Sequence, residues 1–400
     1  MQKIKTFTEQ EFSWPHDFYS DGTNCGLRTG RPDLGWIYSK TPAHAAGVYT
    51  TNRFCAAPTK LTKQLITQNQ LLQCVLMNSV IANSFTGAQG VAAVQAEQQA
   101  VATKLGIAPE LVGVASTGLI GAYLPLHKIT QGITQLELTK KTTVTRAVLT
   151  TDTHPKTCCV TIKIAGQPCT ITGFAKGSGM IHPKMATMLA FITTDAAIEA
   201  ATLQSLLSEL TTSTFNQITV DGDTSTNDMV VTLANGASKT PLLTPTSPDF
   251  ANFKAAYHHV LKSLAQQIAA DGEGATKLVE ANVASAKTAA EAQAVAKAVV
   301  GSNLVKAALF GADPNWGRII STLGATSASF SPDKIDLSLN GHLLIQQSQP
   351  LSFDKELVSQ SLQKDKVYIN LELHAGQASG QAWGCDLTYD YVKINASYSS

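Results

Sequence analysis

"AQGVAAVQAEQQAVATKLGIAPELVGVASTGLIG", residues 88–121, carries the reading on which the fold class turns. Its first part, 88–106, is rich in alanine and glutamine with recurring apolar positions, which predicts a helix, and Gly106 is the residue type that ends one in a left-handed turn. The next part changes period. "LVGVAS" is a short, unbroken apolar run, the mark of a buried strand, and it runs into the glycine-bearing "TGLIGAYLP". A helix feeding directly into a buried strand is the building step of α/β architecture.

The same alternation continues outward. "TCCVTIKIAG" (157–166) reads as a strand with a turn at Gly166–Gln167. "KGSGMIHPKMATMLAF" (176–191) leads from small, flexible residues into a second buried strand. "TLQSLLSELTTSTF" is a helix with Leu203, Leu206, Leu207 and Leu210 on one face, and "NQITVDGD" (216–223) is a short strand. A long amphipathic helix follows, started at Asp249 and stopped by "DGEG", then an alanine-rich helix over about 286–300 ended by Gly301. Downstream the texture changes: "KIDLSLNGHLLIQQ" is a hairpin on Asn340–Gly341, and "KVYINLELHAGQASGQAWGCDLTYD" adds two strands. The class is therefore α/β or α+β with mixed sheets, with a smaller C-terminal α+β unit from about 285 to 400.

Composition narrows the function classes. The 400 residues exceed what one core usually fills, so two units are expected. Thirty basic against 29 acidic side chains give a net charge of +1, and neither nucleic acid nor a membrane surface has a global electrostatic reason to bind. The N-terminal stretch lacks an apolar signal core, and no window reaches the length of a spanning helix, so a cytoplasmic protein is expected. Seven cysteines without C-x-x-C spacing read as a reduced set. Nine histidines, with His258–His259 on a helix and no H-E-x-x-H pattern, leave metal binding without support from motifs.

Six stretches are denser in Gly, Thr, Asn and Asp than structure requires: 176–191 and "ASTGLIG" (115–121), "TTDTHPK" (150–156), "DGDTSTND" (221–228), "DGEGATK" (271–277) and "GADPNWGRI" (311–319). Thr187 stands where loop becomes core. Its hydroxyl is a poor nucleophile unless a base takes the proton, and a self-contained base is its own α-amine once the chain is cut before it. Ala186 is small enough for an N-to-O acyl shift to make that cut; the competing reading is a buried threonine at a strand start. Thr117 and the Gly118 N–H suit a developing oxyanion, against a plain strand-to-loop turn. The glycine patterns fit neither a dinucleotide fingerprint nor a P-loop, and "DGDTSTND" is a poor calcium loop better read as a turn. "DPNWGR" reads as a turn into a helix capped by Asp313 with Pro314 first, and Arg318 as a carboxylate binder or a structural ion pair.

Together with "NRFCAAPT" (52–59) and the terminal "NASYSS", these stretches, in this order, resemble the ornithine acetyltransferase family across nearly the whole chain. The resemblance implies the layered α/β/β/α-like core shared with DmpA-type aminopeptidases. It implies autocleavage between Ala186 and Thr187 into an α chain, 1–186, and a β chain, 187–400, that stay together, commonly as α2β2. It implies Thr187 as nucleophile and Thr117 with Gly118 as oxyanion hole. Substrate contacts fall at Thr153, Lys176, Thr187, Glu273, Asn395 and Ser400. Lys184 departs from the asparagine common at its position. The implied reaction moves acetyl from N2-acetyl-L-ornithine to L-glutamate through acetyl-Thr187, in arginine biosynthesis. No cofactor or metal is required, and acetyl-CoA enters only as an alternative donor. The rival is a DmpA-like amidohydrolase, in which water accepts the acyl group.

Overall fold

The computed structural model describes residues 7–182 and 188–397. Ala186, Thr187, Lys184 and Ser400 lie outside the described residues. Two compact units emerge, one containing residues 7–177, 188–212 and 224–264, the other 178–182, 213–223 and 265–397.

The first unit is a nine-stranded mixed sheet in the order β1-β6-β7-β8-β9-β3-β4-β5, with β2 paired to β3. Its strands are β1 (Phe7–Glu9), β2 (Phe18–Thr23), β3 (Leu34–Tyr49), β4 (Leu71–Asn78), β5 (Val112–Ser116), β6 (Lys156–Ile164), β7 (Gln167–Lys176), β8 (Leu189–Thr194) and β9 (Met229–Ala234). Its helices are α1 (Ala57–Asn69), α2 (Gly87–Leu105), α3 (Leu126–Gln135), the single turn α4 (Val144–Ala147), α5 (Ala200–Thr212) and, up to Leu264, α6 (Phe250–Ala270). Strand alternation covers both faces. Ile37, Val75 and Met77 pack with Leu65 and Ile66 of α1, whereas Trp36, Cys74 and Leu76 pack with Val101 of α2 and Ile129 and Ile133 of α3. This is the α/β class with mixed sheets that the alternation of elements predicts, and Gly106 ends α2 at φ 66° as expected.

The second unit is a six-stranded sheet, β13-β12-β11-β14-β10-β15, built from β10 (Leu278–Ala286), β11 (Asp336–Leu339), β12 (His342–Gln346), β13 (Gln349–Pro350), β14 (Lys366–Glu372) and β15 (Ala378–Cys385). Its core joins Val279, Ala281 and Val283 to Val295 and Val299 of α7 (Ala289–Gly301), with α8 (Asn303–Phe310), α9 (Trp316–Gly324) and α10 (Lys355–Ser361) adding to it, while α11 (Tyr389–Ala396) buries no residue. A reciprocal capping box between Thr288 and Glu291 starts α7, a feature worth about 1 kcal/mol. The hairpin turns on Asn340 (φ 46°) and Gly341 (φ 86°), as a type I′ turn demands.

Several local expectations are corrected. Residues 216–223 form no strand: Phe215–Gln217 is a 3-10 turn, Ile218 makes one isolated bridge to Trp383, and Gly222 turns the chain at φ 85°. The turn after β6 falls on Ala165–Gly166, with Gln167 already in β7. The Asp249 carboxylate accepts the Ala165 N–H, so only its backbone carbonyl serves the start of α6. Helix α9 begins at Trp316, because Asp313 is engaged by the Asn315 side chain, and Arg318 donates to the Leu304 carbonyl at 2.7 Å, a structural use. The sheet of the second unit starts at Leu278. All seven cysteines are free thiols, and no described helix is long and apolar enough to cross a membrane.

Candidate active site

In the first unit the site grows from the end of β5. Parallel pairing of β4 and β5 brings Asn78 opposite Ser116, and the chain then leaves the sheet at Thr117. Buried Asn227 of the "DGDTSTND" stretch donates from Nδ2 to the carbonyls of Ser116 (2.8 Å) and Ala82 (2.6 Å), clamping this exit to the loop after β4. Gly118 sits at φ 128°, and a Cβ there would lie 2.1 Å from the carbonyl carbon and oxygen of Val80, so only glycine fits. The flanking amides of Thr117 and Leu119 bond to the carbonyls of Asn78 and Val80, while the Gly118 N–H has no acceptor among the described residues. One strained, immobilised amide is left available beside the Thr117 hydroxyl.

Lys176, the last residue of β7, donates to Thr117 Oγ1 at 3.3 Å and is itself buried. Behind it lies an ion pair absent from the expected set. Asp152 Oδ1 accepts from Lys156 Nζ at 2.5 Å, with both side chains fully buried, and from the Gly177 N–H at 2.6 Å. Burial alone would raise the Asp152 carboxyl, but the charges of Lys176 and Lys156 outweigh it and hold the group well below the usual carboxylate range. Asp228 shows the opposite outcome: complete burial pushes its carboxyl well above that range, against a hydrogen bond from Ser225 and the charge of Lys176. Asp152 thus faces two lysines, Lys156 and Lys176, whose ammonium groups suit a carboxylate or an oxyanion. Thr153 is exposed next to Asp152, its Oγ1 2.8 Å from His154 Nδ1.

In the second unit the "DGEGATK" loop presents Glu273. Its amide donates to the Ser178 carbonyl (2.9 Å), and Ser178 Oγ donates to the Asp271 carbonyl (2.6 Å). Asn395 Nδ2, on α11, donates to Glu273 Oε2 at 2.7 Å, so two of the expected substrate contacts meet directly. A Cβ at Gly179 would fall 2.3 Å from the Glu273 carboxylate, so any larger residue there would displace that side chain. Asp221 accepts from the amides of Met180 (2.6 Å) and Ile181 (2.9 Å), fixing the same segment. Burial, then the negative charges of Asp221 and Glu273, push the Tyr391 hydroxyl upward, keeping it protonated. The loop is anchored by Asp386, which accepts from the Thr276 and Lys277 amides (2.8 and 3.1 Å). These acids suit an ammonium group.

The structure thus brings Thr117 to Lys176 and Glu273 to Asn395. Sequence reading missed Asp152, Lys156, Asp228, Gly179, Asp221 and Tyr391. All but Tyr391 lie inside polar stretches already singled out, and the available signal was the density of those stretches.

The sequence matches the ArgJ family profile over residues 19–400. The chain belongs to the ArgJ family. It is 61% identical over 392 residues to the arginine biosynthesis bifunctional protein ArgJ of Lactiplantibacillus plantarum, with 98% of each chain covered. It is 48% identical over 393 residues to the protein of that description from Bacillus subtilis, covering 97% of this chain and 96% of that one. A crystal structure of the arginine biosynthesis bifunctional protein from Bacillus halodurans is similar at 52% identity and a TM-score of 0.52, covering 52% of this chain and 99% of that chain. As an ArgJ family member the chain is an enzyme of arginine biosynthesis that transfers acetyl groups and acts on small molecules.

Proposed function

We propose that this ArgJ-family enzyme moves acetyl from N2-acetyl-L-ornithine to L-glutamate through an ester on Thr187. The observation that carries the reading is the Thr117–Gly118 corner, where an amide without an acceptor among the described residues and a hydroxyl held by Lys176 stand side by side. The α-amine of Thr187 takes the proton of its own hydroxyl as Oγ1 attacks the acetyl carbonyl. Thr117 and Gly118 stabilise the oxyanion, and the carbon–nitrogen bond breaks as the ornithine nitrogen takes up the proton. The α-amine of glutamate then attacks the ester, releasing N-acetyl-L-glutamate and returning the proton to Thr187. Lys176 receives a substrate carboxylate, Glu273 the δ-ammonium of ornithine, and Thr153, Asn395 and Ser400 complete the contacts. Amide to ester to amide requires no cofactor, and acetyl-CoA serves as a second donor.

The free amine presupposes cleavage at Ala186–Thr187, giving chains 1–186 and 187–400 in a cytoplasmic α2β2 assembly. A solved chain about half as long as this one, matched over 99% of its length, supports that division. Denaturing gel electrophoresis tests it: wild type runs as two fragments and Thr187→Ala as one. A single full-length band from active wild-type enzyme rules out the amine-as-base mechanism. Mass spectrometry of the β chain after acetylornithine alone should show one added acetyl group on Thr187, and acetylglutamate formation from acetyl-CoA as sole donor checks the second activity.

A further inference from the structure

A cluster of metal-ligating side chains lies among residues to which the acetyl-transfer mechanism gives no role. Glu9 on β1, Cys158 on β6 and His259 on α6 present a carboxylate oxygen, a thiol sulfur and an imidazole nitrogen, all within 4.8 Å of one another. Glu9 Oε2 and His259 Nε2 are already 3.0 Å apart. The three come from residues some 250 positions apart, so no local motif announces them. We propose that Glu9, Cys158 and His259 form a divalent transition-metal site of the zinc type that fastens β1 to the sheet.

The donor set is the first argument. Thiolate, imidazole and carboxylate are the three side-chain ligands that zinc takes, and bond lengths of about 2.0–2.3 Å set tetrahedral ligands roughly 3.3–3.7 Å apart. With all three ligand atoms inside 4.8 Å, no separation needs to close by more than about 1 Å. Exposure of Glu9 also leaves the fourth position open to water.

The surroundings are the second argument. Ser263, one helical turn beyond His259, hydrogen bonds to Cys158 in the sense that favours the thiolate. The ring of Phe7 packs against His259 with centroids 4.8 Å apart, restricting the imidazole. On metal binding the S–H bond breaks, a metal–sulfur bond forms, and one proton leaves to solvent.

The site also has a structural task. β1 stands at the edge of the described sheet, paired to β6 through Phe7↔Ile162, Thr8↔Thr161 and Glu9↔Val160. An edge strand, bonded on one side, gains from a cross-link.

The test uses Co2+ as probe on full-length enzyme stripped with chelator. The expected result is one equivalent per chain, a near-ultraviolet thiolate-to-cobalt charge-transfer band, and loss of that band on adding Zn2+. Cys158→Ser should abolish the band, Glu9→Gln should weaken Co2+ binding by about tenfold or more, and Cys55→Ser should leave it intact. Zn2+ should raise the Tm of wild type but not of Cys158→Ser. No band in wild type, or a band surviving in Cys158→Ser, overturns the assignment. Should circular dichroism show Cys158→Ser unfolded, Glu9→Gln and His259→Gln decide, and unchanged Co2+ affinity in both overturns it equally.

Discussion

Thr117→Val separates the proposed oxyanion role of Thr117 from its structural one. Valine keeps the branched shape and removes only the hydroxyl, so the exit from β5, clamped by Asn227 and by the Val80 contact of Gly118, stays in place. The fold loses one hydrogen bond, from Lys176 at 3.3 Å to a half-exposed acceptor, worth no more than about 1 kcal/mol. Lys176 keeps its electrostatic partner Asp152. Removing one of two oxyanion donors should cost about 2.7–4 kcal/mol of transition-state stabilisation, or roughly 10²–10³ in kcat. Because the oxyanion exists only in the transition state, KM for both substrates should change little. Cleavage passes through a tetrahedral oxyanion too, so processing should slow, and rates must be expressed per cleaved chain, quantified on a denaturing gel. Thr117→Ser restores the donor and should recover most of the rate. A Thr117→Val enzyme within about threefold of wild-type kcat would refute the reasoning, as would Thr117→Ser as impaired as Thr117→Val.

Asp152→Asn leaves the fully buried Lys156 without its carboxylate and should cost about 3–5 kcal/mol, read as a lower urea midpoint at unchanged slope; a midpoint equal to wild type would show that the pair is dispensable. Glu97, fully buried on α2 with neither carboxylate oxygen bonded, has its pKa raised by burial from 4.5 to about 8. The unfolded chain releases that proton near 4.5 and the folded one only near 8. Stability should therefore fall as pH rises through this window, by at most roughly 5 kcal/mol. Glu97→Gln should flatten the Tm–pH profile between those limits, and parallel profiles would contradict the assignment. Gly179→Ala drives a methyl into the Glu273 carboxylate and should raise KM for acetylornithine about tenfold with kcat nearly kept; an unchanged KM would remove Glu273 from ornithine recognition.

What the sequence reveals follows the range of the interaction. The helix at 88–105, the strand after it, the Asn340–Gly341 turn and the leucine face of α5 all arise from neighbours a few residues apart, and they stand as read. Residues 216–223 alternate like a strand yet form none, because Asp221 is committed to the amides of Met180 and Ile181, some 40 positions away. The polar stretches marked the site without ranking their members. In "TTDTHPK", Thr153 stood out by resemblance, whereas the residues with the strongest electrostatic coupling are Asp152 and Lys156, whose importance depends on Lys176 arriving from another strand. Nothing in its alanine- and glutamine-rich helix sets Glu97 apart, and only packing shows that it is fully buried.

The described ends of the segment bearing Thr187 explain how cleavage there is compatible with an intact site. Lys176 is held in β7, opposite Leu189 in the antiparallel register with β8, and Gly177 is tied to Asp152 at 2.6 Å. On the other side Met188 accepts the Met229 amide at 2.9 Å, and all six residues of β8 are buried between β7 and β9. A cut between Ala186 and Thr187 removes the covalent route from Lys176 to Thr187. It leaves the hydrogen-bonded route through Leu189, one residue beyond Met188, to which a new N-terminal threonine would be directly bonded. On the proposed cleavage, the apolar run that begins at Met188 would therefore do more than fill the core: it would keep the severed chain in register. Loosening that register with a charged residue in β8, as in Phe191→Asp, should release the fragments from one another before it affects the secondary structure of either unit. Co-purification of both fragments from such a variant, at wild-type yield, would show that the register is not what holds them.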